Sequence, residues 1–240
     1  MVIKPLTLKR SGGNYIRYNK ASLWTWVFKS IIINSLITTQ SLVKNLLIIE
    51  AHAVIRYVTP TGAGSLDGTS WANAFPGNLL QAAINASSVG DEVWVASGTY
   101  YTTTTTNRNI SFSMRNGVAI YGSFAGTETL LTERILTNGL TTILSGELGT
   151  AGIHDNSYNV VYNEQLDNTA IIDGFIIQDG NDDRSPTSSG NGLGGGMYNH
   201  GYNVGGNCHP TIRNCLFRNN KQILSLGKEV PLISLWVVFE

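Results

Sequence analysis

Short apolar runs recur along the chain, separated by clusters of Gly, Asn, Ser and Asp. They are Val93-Trp94-Val95, Val118-Ala119-Ile120, Thr142-Ile143-Leu144, Asn159-Val160-Val161, Phe175-Ile176-Ile177 and Thr211-Ile212. Runs this short, rich in β-branched residues and bounded by turn formers, predict strands. Most steps between them fall near the length of one solenoid coil. No helical period intervenes from Asp91 onward, so each coil is itself the connection between parallel strands. The pattern predicts an all-β parallel β-helix, a solenoid. An antiparallel sandwich is the alternative, signalled by the hairpin dipeptides Asn116-Gly117 and Asn138-Gly139.

Ahead of these runs the period changes. Ile55-Arg56-Tyr57-Val58 reads as a strand, and Pro60, Gly62, Gly64 and Gly68 break the segment that follows. Trp71, Phe75, Leu79, Leu80, Ala83 and Ile84 then recur at helical spacing, which predicts a helix over about Asn78 to Ala86. Such a helix covers the open end of a strand stack, where unpaired edges and apolar side chains otherwise meet water. The expected organisation is a leader over 1–53, an N-terminal strand and capping helix over 54–90, parallel coils over 91–220 and a divergent apolar tail over 221–240. The threonine run Thr102 to Thr106 reads as a loop or an edge segment.

Composition permits a substantial core: 42% of the 240 residues are hydrophobic and 13% charged, while 26 Gly against 6 Pro imply many turns. The formal charge of zero conceals an asymmetry. Seven Lys or Arg lie in the first 53 residues with Glu50 as their one acidic counterpart. Removing them from totals of 16 basic and 16 acidic leaves nine against fifteen, a body of about minus six. An acidic body offers no footprint for phosphate backbones, so nucleic acid is not expected as a partner. In the leader, basic residues up to Lys29 precede the apolar stretches Ile31 to Ile37 and Leu42 to Ile49, which run into Ala51-His52-Ala53. That is the layout of a secretory signal with an Ala-x-Ala cleavage site; a signal anchor, an overextended start codon and an amphipathic helix packed on the body are the alternatives. Lys29, Lys44 and Glu50 interrupt the apolar run, so no stable membrane span is expected in the mature chain.

Four motifs resemble a known group: Ile55 to Val58, Asp91 to Tyr100, Tyr121 to Glu128, and Ile172-Asp173-Gly174-Phe175-Ile176-Ile177. They resemble the amino-terminal coils of bacterial right-handed parallel β-helix repeat proteins of the pectate-lyase-like fold. Gly194-Gly195-Gly196-Met197-Tyr198-Asn199 and Phe217-Arg218-Asn219-Asn220 are similar to the repeats of polymorphic outer membrane proteins. The resemblance spans about Ile55 to Asn220 and implies a right-handed winding. It also implies an exported protein, secreted or held at the cell surface or outer membrane of a Gram-negative bacterium. After Asn220 the repeat is lost, and Lys221 to Glu240 is either a replacement cap or the mark of a truncated or frame-shifted fragment.

Several side-chain groups invite chemistry. Asp179, Asn181, Asp182 and Asp183 supply hard oxygen ligands within a Gly-containing turn, and they are the candidate calcium site; the spacing is not that of an EF-hand. No other cofactor is expected. The same carboxylates with His200-Gly201 loosely resemble the acid and base of inverting polygalacturonases, but the Gly-His-Gly and Arg-x-Lys elements are missing. No catalytic residue is assigned. Gly190 to Gly195 meets the dinucleotide-binding glycine spacing, yet Met197 to Gly201 cannot open the helix that site requires. His154 with Asp155, and His200 with His209, lack a third ligand at metal spacing. Trp94, Tyr100, Tyr101, Tyr121, Tyr158, Tyr162, Tyr198 and Tyr202 form either an aromatic platform for sugars or interior packing. Asn163, Asn181, Asn199 and Asn219 or Asn220 follow successive strands and are expected to satisfy turn backbones. Cys208 and Cys215 are seven residues apart. A local bridge between them is not forced, and Cys215 reads as a buried thiol.

Two functions remain. One is a noncatalytic surface module for adhesion, binding a polysaccharide or a surface protein. The other is a polysaccharide lyase or glycoside hydrolase acting on acidic glycans.

Overall fold

The computed structural model describes residues 7–9, 15–17, 28–34, 53–136, 139–185, 193–201, 206–223, 229–231 and 235–237. The chain divides into two compact units, Met1–Ala51 and His52–Glu240. In the first, β1 (Thr7–Lys9) pairs antiparallel with β2 (Tyr15–Arg17), with Leu8 opposite Ile16. A short helix, α1 (28–34), exposes Phe28, Ile31, Ile32 and Ile33. The rest of the expected leader lies outside the described residues.

The second unit opens with β3 (Ile55–Thr59), a 3-10 turn at Trp71–Asn73 and the short β4 (Phe75–Pro76). The predicted helix follows as a 3-10 turn over Gly77–Leu79 and then α2 (Leu80–Ala86), which buries Leu80, Ala83 and Ile84. Next come β5 (Glu92–Ala96), β6 (Gly98–Tyr101), β7 (Ala119–Phe124), β8 (Thr142–Ser145), β9 (Val161–Glu164) and β10 (Ile171–Asp173). Then follow β11 (Phe175–Gln178), β12 (Asn181–Asp182), β13 (Met197–His200), β14 (Thr211–Arg213) and β15 (Cys215–Arg218). The last are β16 (Lys221–Ile223), β17 (Glu229–Pro231) and β18 (Leu235–Val237). Each of the apolar runs thus contributes to a strand.

The strands sort into separate sheets. One has six strands in the order β14-β10-β7-β5-β3-β4, a second runs β18-β15-β11-β8-β6, and the smaller ones are β12-β16-β17 and β13-β9. Among the described strands of this unit, pairing is parallel except where β18 meets β15 and β17 meets β16. The antiparallel sandwich is therefore not the arrangement.

The all-β right-handed parallel β-helix with a short N-terminal capping helix is not observed either. Among the described residues, helices α1 and α2 and three 3-10 turns accompany the strands, an α/β mix, and the several small parallel sheets do not form a single solenoid. The physical reason is the range over which the pattern acts. Turn residues and apolar alternation fix where a strand of three to six residues starts and stops. Whether neighbouring strands continue into one sheet is decided by pairing between distant segments, which a local pattern does not encode. Backbone reversals interrupt the ladders, with Asp179 at φ +61°, Asn214 at +46° and Asn219 at +54° directly after strands.

Among the described residues one apolar core joins three of the sheets. It contains Val58, Val93, Val95, Tyr100, Ile120, Leu144, Val161, Ile172, Phe175, Ile177 and Cys215, with Leu80 and Ile84 of α2 against it. β5 is buried along nearly its whole length because both its faces are covered. Val93 and Val95 face the core, while Trp94 stacks on Phe124 at 4.5 Å with Tyr57 at 5.7 Å edge-on. Cys208 and Cys215 are free thiols, and burial pushes the Cys215 thiol up to about 12.

Candidate functional site

The site grows from one strand pair. β9 reads Val-Tyr-Asn-Glu and β13 reads Met-Tyr-Asn-His, and they pair parallel with Tyr162 beside Tyr198 and Glu164 beside His200. Because side chains alternate along a strand, this register sets Tyr162, Glu164, Tyr198 and His200 on one face. Val161 and Asn163 face the other way and are fully buried. The Asn163 amide donates to Asn199 Oδ1 at 2.8 Å, and its own oxygen accepts from the Met114 amide at 2.9 Å. That pairing locks the register from beneath.

Segment 108–113 lies along the other edge of β9. Phe112 bridges to Val161, its amide donates to the Val160 carbonyl at 2.9 Å, and the Tyr162 amide donates back to its carbonyl at 2.8 Å. With Phe112 turned inward, Ser111 and Ser113 border a cleft of about 430 Å³ with Tyr162, Tyr198 and Glu164. A volume of this size falls among small-ligand sites, about 300–1,000 Å³.

The aromatic wall is tilted. Tyr162 and Tyr198 have ring centroids 5.6 Å apart at 56°, and His200 stacks on Tyr198 at 5.5 Å and 19°. The Tyr162 hydroxyl donates to Glu164 Oε1 at 2.7 Å and lies 3.1 Å from His200 Nδ1.

The far wall holds two cations on one ring. Arg108 and Arg184 place their guanidinium carbons 4.2 and 4.3 Å from the Tyr158 centroid. Each is paired with a carboxylate. Arg108 Nη2 meets Asp183 Oδ1 at 2.9 Å, and Arg184 grips Asp182 through Nε at 2.7 Å and Nη2 at 2.8 Å. Asp182 is fully buried and also accepts from the Leu193 amide at 3.0 Å. Hydrogen bonding to Asp182 holds the Arg184 guanidinium above its ordinary value, against the opposing effect of burial. Asn159 ties this wall to the strand pair, donating to the carbonyls of Leu193 and Gly194 and accepting from Arg184 at 3.2 Å.

Each candidate calcium ligand is engaged by another group of the protein. Asp182 and Asp183 are each held by an arginine, the Asn181 amide donates to the Ile153 carbonyl at 2.8 Å, and Asp179 accepts from Gln178 at 2.6 Å and Ser145 at 3.2 Å. Among the described residues no group of three or more His, Cys, Asp or Glu is placed to hold a metal ion. Of the polygalacturonase-like set, His200 stacks on Tyr198 in the aromatic wall. His154 and His209 are exposed elsewhere.

Of the candidate sugar platform, Tyr158, Tyr162 and Tyr198 come together at the cleft. Trp94 and Tyr100 are buried in packing, Tyr101 is exposed, and Tyr121 lies beneath the Arg134 guanidinium at 5.0 Å. Tyr202 and Gly190 to Gly192 lie outside the described residues. Gly195 continues into strand β13, and no helix follows it. Arg108, Arg184 and Glu164 were not singled out by the sequence reading. The signal that could have found Glu164 is the shared Tyr-Asn of 162–163 and 198–199, which marks two strands presenting the same face.

The chain matches no protein-family model, and no curated protein and no solved structure matches it. Among the described residues no helix is long and apolar enough to cross a membrane.

Proposed function

We propose that this protein is an exported, noncatalytic cell-surface module that binds carbohydrate in the cleft between β9, β13 and segment 108–113. The observation that carries the reading is the wall on which Tyr162 and Tyr198 stand tilted beside the Glu164 carboxylate. A sugar ring has an apolar face bordered by hydroxyls, and it needs an aromatic surface next to hydrogen-bonding groups. Export is supported by the basic, apolar leader ending at Ala51-His52-Ala53, and a Gram-negative surface by the Gly194-to-Asn199 and Phe217-to-Asn220 motifs. The noncatalytic part of the reading is supported by the carboxylates placed at the cleft. Glycoside hydrolysis uses an acid and a second carboxylate across the bond. Among the described residues lining the cleft Glu164 is the one carboxylate, while Asp182 and Asp183 are held by Arg184 and Arg108.

The test is retention on immobilised glycans by the purified chain, with Tyr198→Ala and Tyr162→Ala beside it. Loss of a stacking ring is expected to weaken retention about tenfold. Retention unchanged in both variants places binding elsewhere and overturns the reading. One contact favours an enzyme instead: the Tyr162 hydroxyl touches both Glu164 and His200 Nδ1, a path along which a proton can move. Unsaturated products or new reducing ends released from a glycan would establish that alternative.

A further inference from the structure

Resting on the carbohydrate reading, we infer that the cleft selects uncharged sugars and turns away uronate-bearing, polyanionic ones. Its two cations suggest the opposite at first sight, since arginine is the usual partner of a sugar carboxylate. Here both are already matched. Asp182 occupies the Nε and Nη2 donors of Arg184 in a two-point grip and is itself fully buried. Asp183 and the carbonyls of Asn156 and Asn181 take Nε and Nη2 of Arg108. Two positive and two negative charges cancel on that wall, and both guanidiniums are further held on the Tyr158 ring.

Glu164 then decides the sign. Its side chain is 49% exposed, it lines the cleft, and His200 Nδ1 lies 3.9 Å from it. Among the described residues lining the cleft, Glu164 is the carboxylate that no arginine holds. A uronate entering it sets a second carboxylate beside Glu164 in a partly desolvated space, where like charges repel more strongly than in bulk water. A neutral sugar meets no such barrier. Its hydroxyls donate to Glu164 and accept from the Ser111 and Ser113 hydroxyls, and its ring face lies against Tyr162 or Tyr198. The acidic body of the protein acts in the same direction at longer range.

Affinity electrophoresis at low and at physiological salt tests this, with mannan and xyloglucan as neutral probes and polygalacturonate and alginate as acidic ones. The expected result is retardation by a neutral polymer and none by the acidic pair, with any weak acidic binding growing as salt rises. Glu164→Gln is expected to weaken the neutral interaction about tenfold, as a charged acceptor is lost. It is also expected to admit polygalacturonate. The salt series on the unaltered protein needs no variant, so a misfolded substitution leaves the test intact. Tighter retardation by an acidic polymer, abolished by Tyr198→Ala, overturns the selectivity and leaves the carbohydrate reading standing. Retardation by neither class overturns both.

Discussion

Asp91 shows how one side chain can fix an entry to the fold. Its Oδ1 accepts from the Val54 amide at 2.9 Å, and its Oδ2 accepts from the Ser88 amide at 2.8 Å and Arg56 Nη1 at 2.9 Å. It thereby joins the start of β3 to the turn before β5. Burial alone raises this carboxyl, but the bonds from Ser88, Val54 and Arg56 outweigh it and hold the group below the ordinary carboxylate range. A depressed folded value stabilises the protein above the unfolded value of about 4, and that contribution is lost as pH falls through the folded value. Asp91→Asn is therefore expected to cost about 1–3 kcal/mol at pH 7, with a penalty that shrinks below about pH 4. Urea denaturation across pH reads this directly, and an equal penalty at pH 7 and pH 3 would contradict the assignment. The asparagines act at the same scale. Asn220 accepts from the Gly180 amide at 3.0 Å and donates to the Ile177 carbonyl at 2.9 Å, so it satisfies turn backbone as its position after a strand predicts.

At the scale of elements, close backbone approach explains the glycine cluster before β13. A Cβ on Gly180 would strike the Gly195 carbonyl oxygen, and one on Gly195 would strike that of Lys221. Three chain segments are thus stacked where no side chain fits. The contact also carries ladder bonds: the Val160 amide donates to Gly195 at 3.0 Å and the Lys221 amide to Gly180 at 2.8 Å. Gly195→Ala is expected to destabilise by about 1–3 kcal/mol and to disturb the β9–β13 pair that builds the aromatic wall. Thermal unfolding with a parallel glycan-retention measurement checks it, and full stability would show that the three segments are not so closely stacked. α2 illustrates a different dependence. Its seven residues are too few for a stable isolated helix, so it holds by packing Leu80, Ala83 and Ile84 into the core.

At the scale of the molecule, three sheets of the second unit are separate in hydrogen bonding but share one interior. Phe175 is fully buried in that interior, with residues from α2 and from strands of three sheets in the same cluster. A shared core predicts a single cooperative transition, with near-ultraviolet dichroism and tryptophan fluorescence coinciding. Phe175→Ala is expected to cost about 3–5 kcal/mol and to shift both signals together. Two resolved transitions within the second unit would mean that its sheets fold independently.

The order of strands was legible in the sequence because strand formation is local. Val93-Trp94-Val95 or Phe175-Ile176-Ile177, bounded by turn residues, has few other ways to bury its side chains. The helix before β5 was legible for the same reason, through its 3.6-residue spacing, as was the burial of Cys215 within an apolar alternation. Tertiary structure alone decided that the strands divide among several small sheets, since that depends on register between segments tens of residues apart. It also decided the cleft. Arg108 and Asp183 are 75 residues apart, and Tyr162 and His200 are 38 apart. No local pattern couples such pairs. Only the folded chain shows that the acidic turn holds the arginines beside it while Glu164 stands apart from them with Tyr162 and His200.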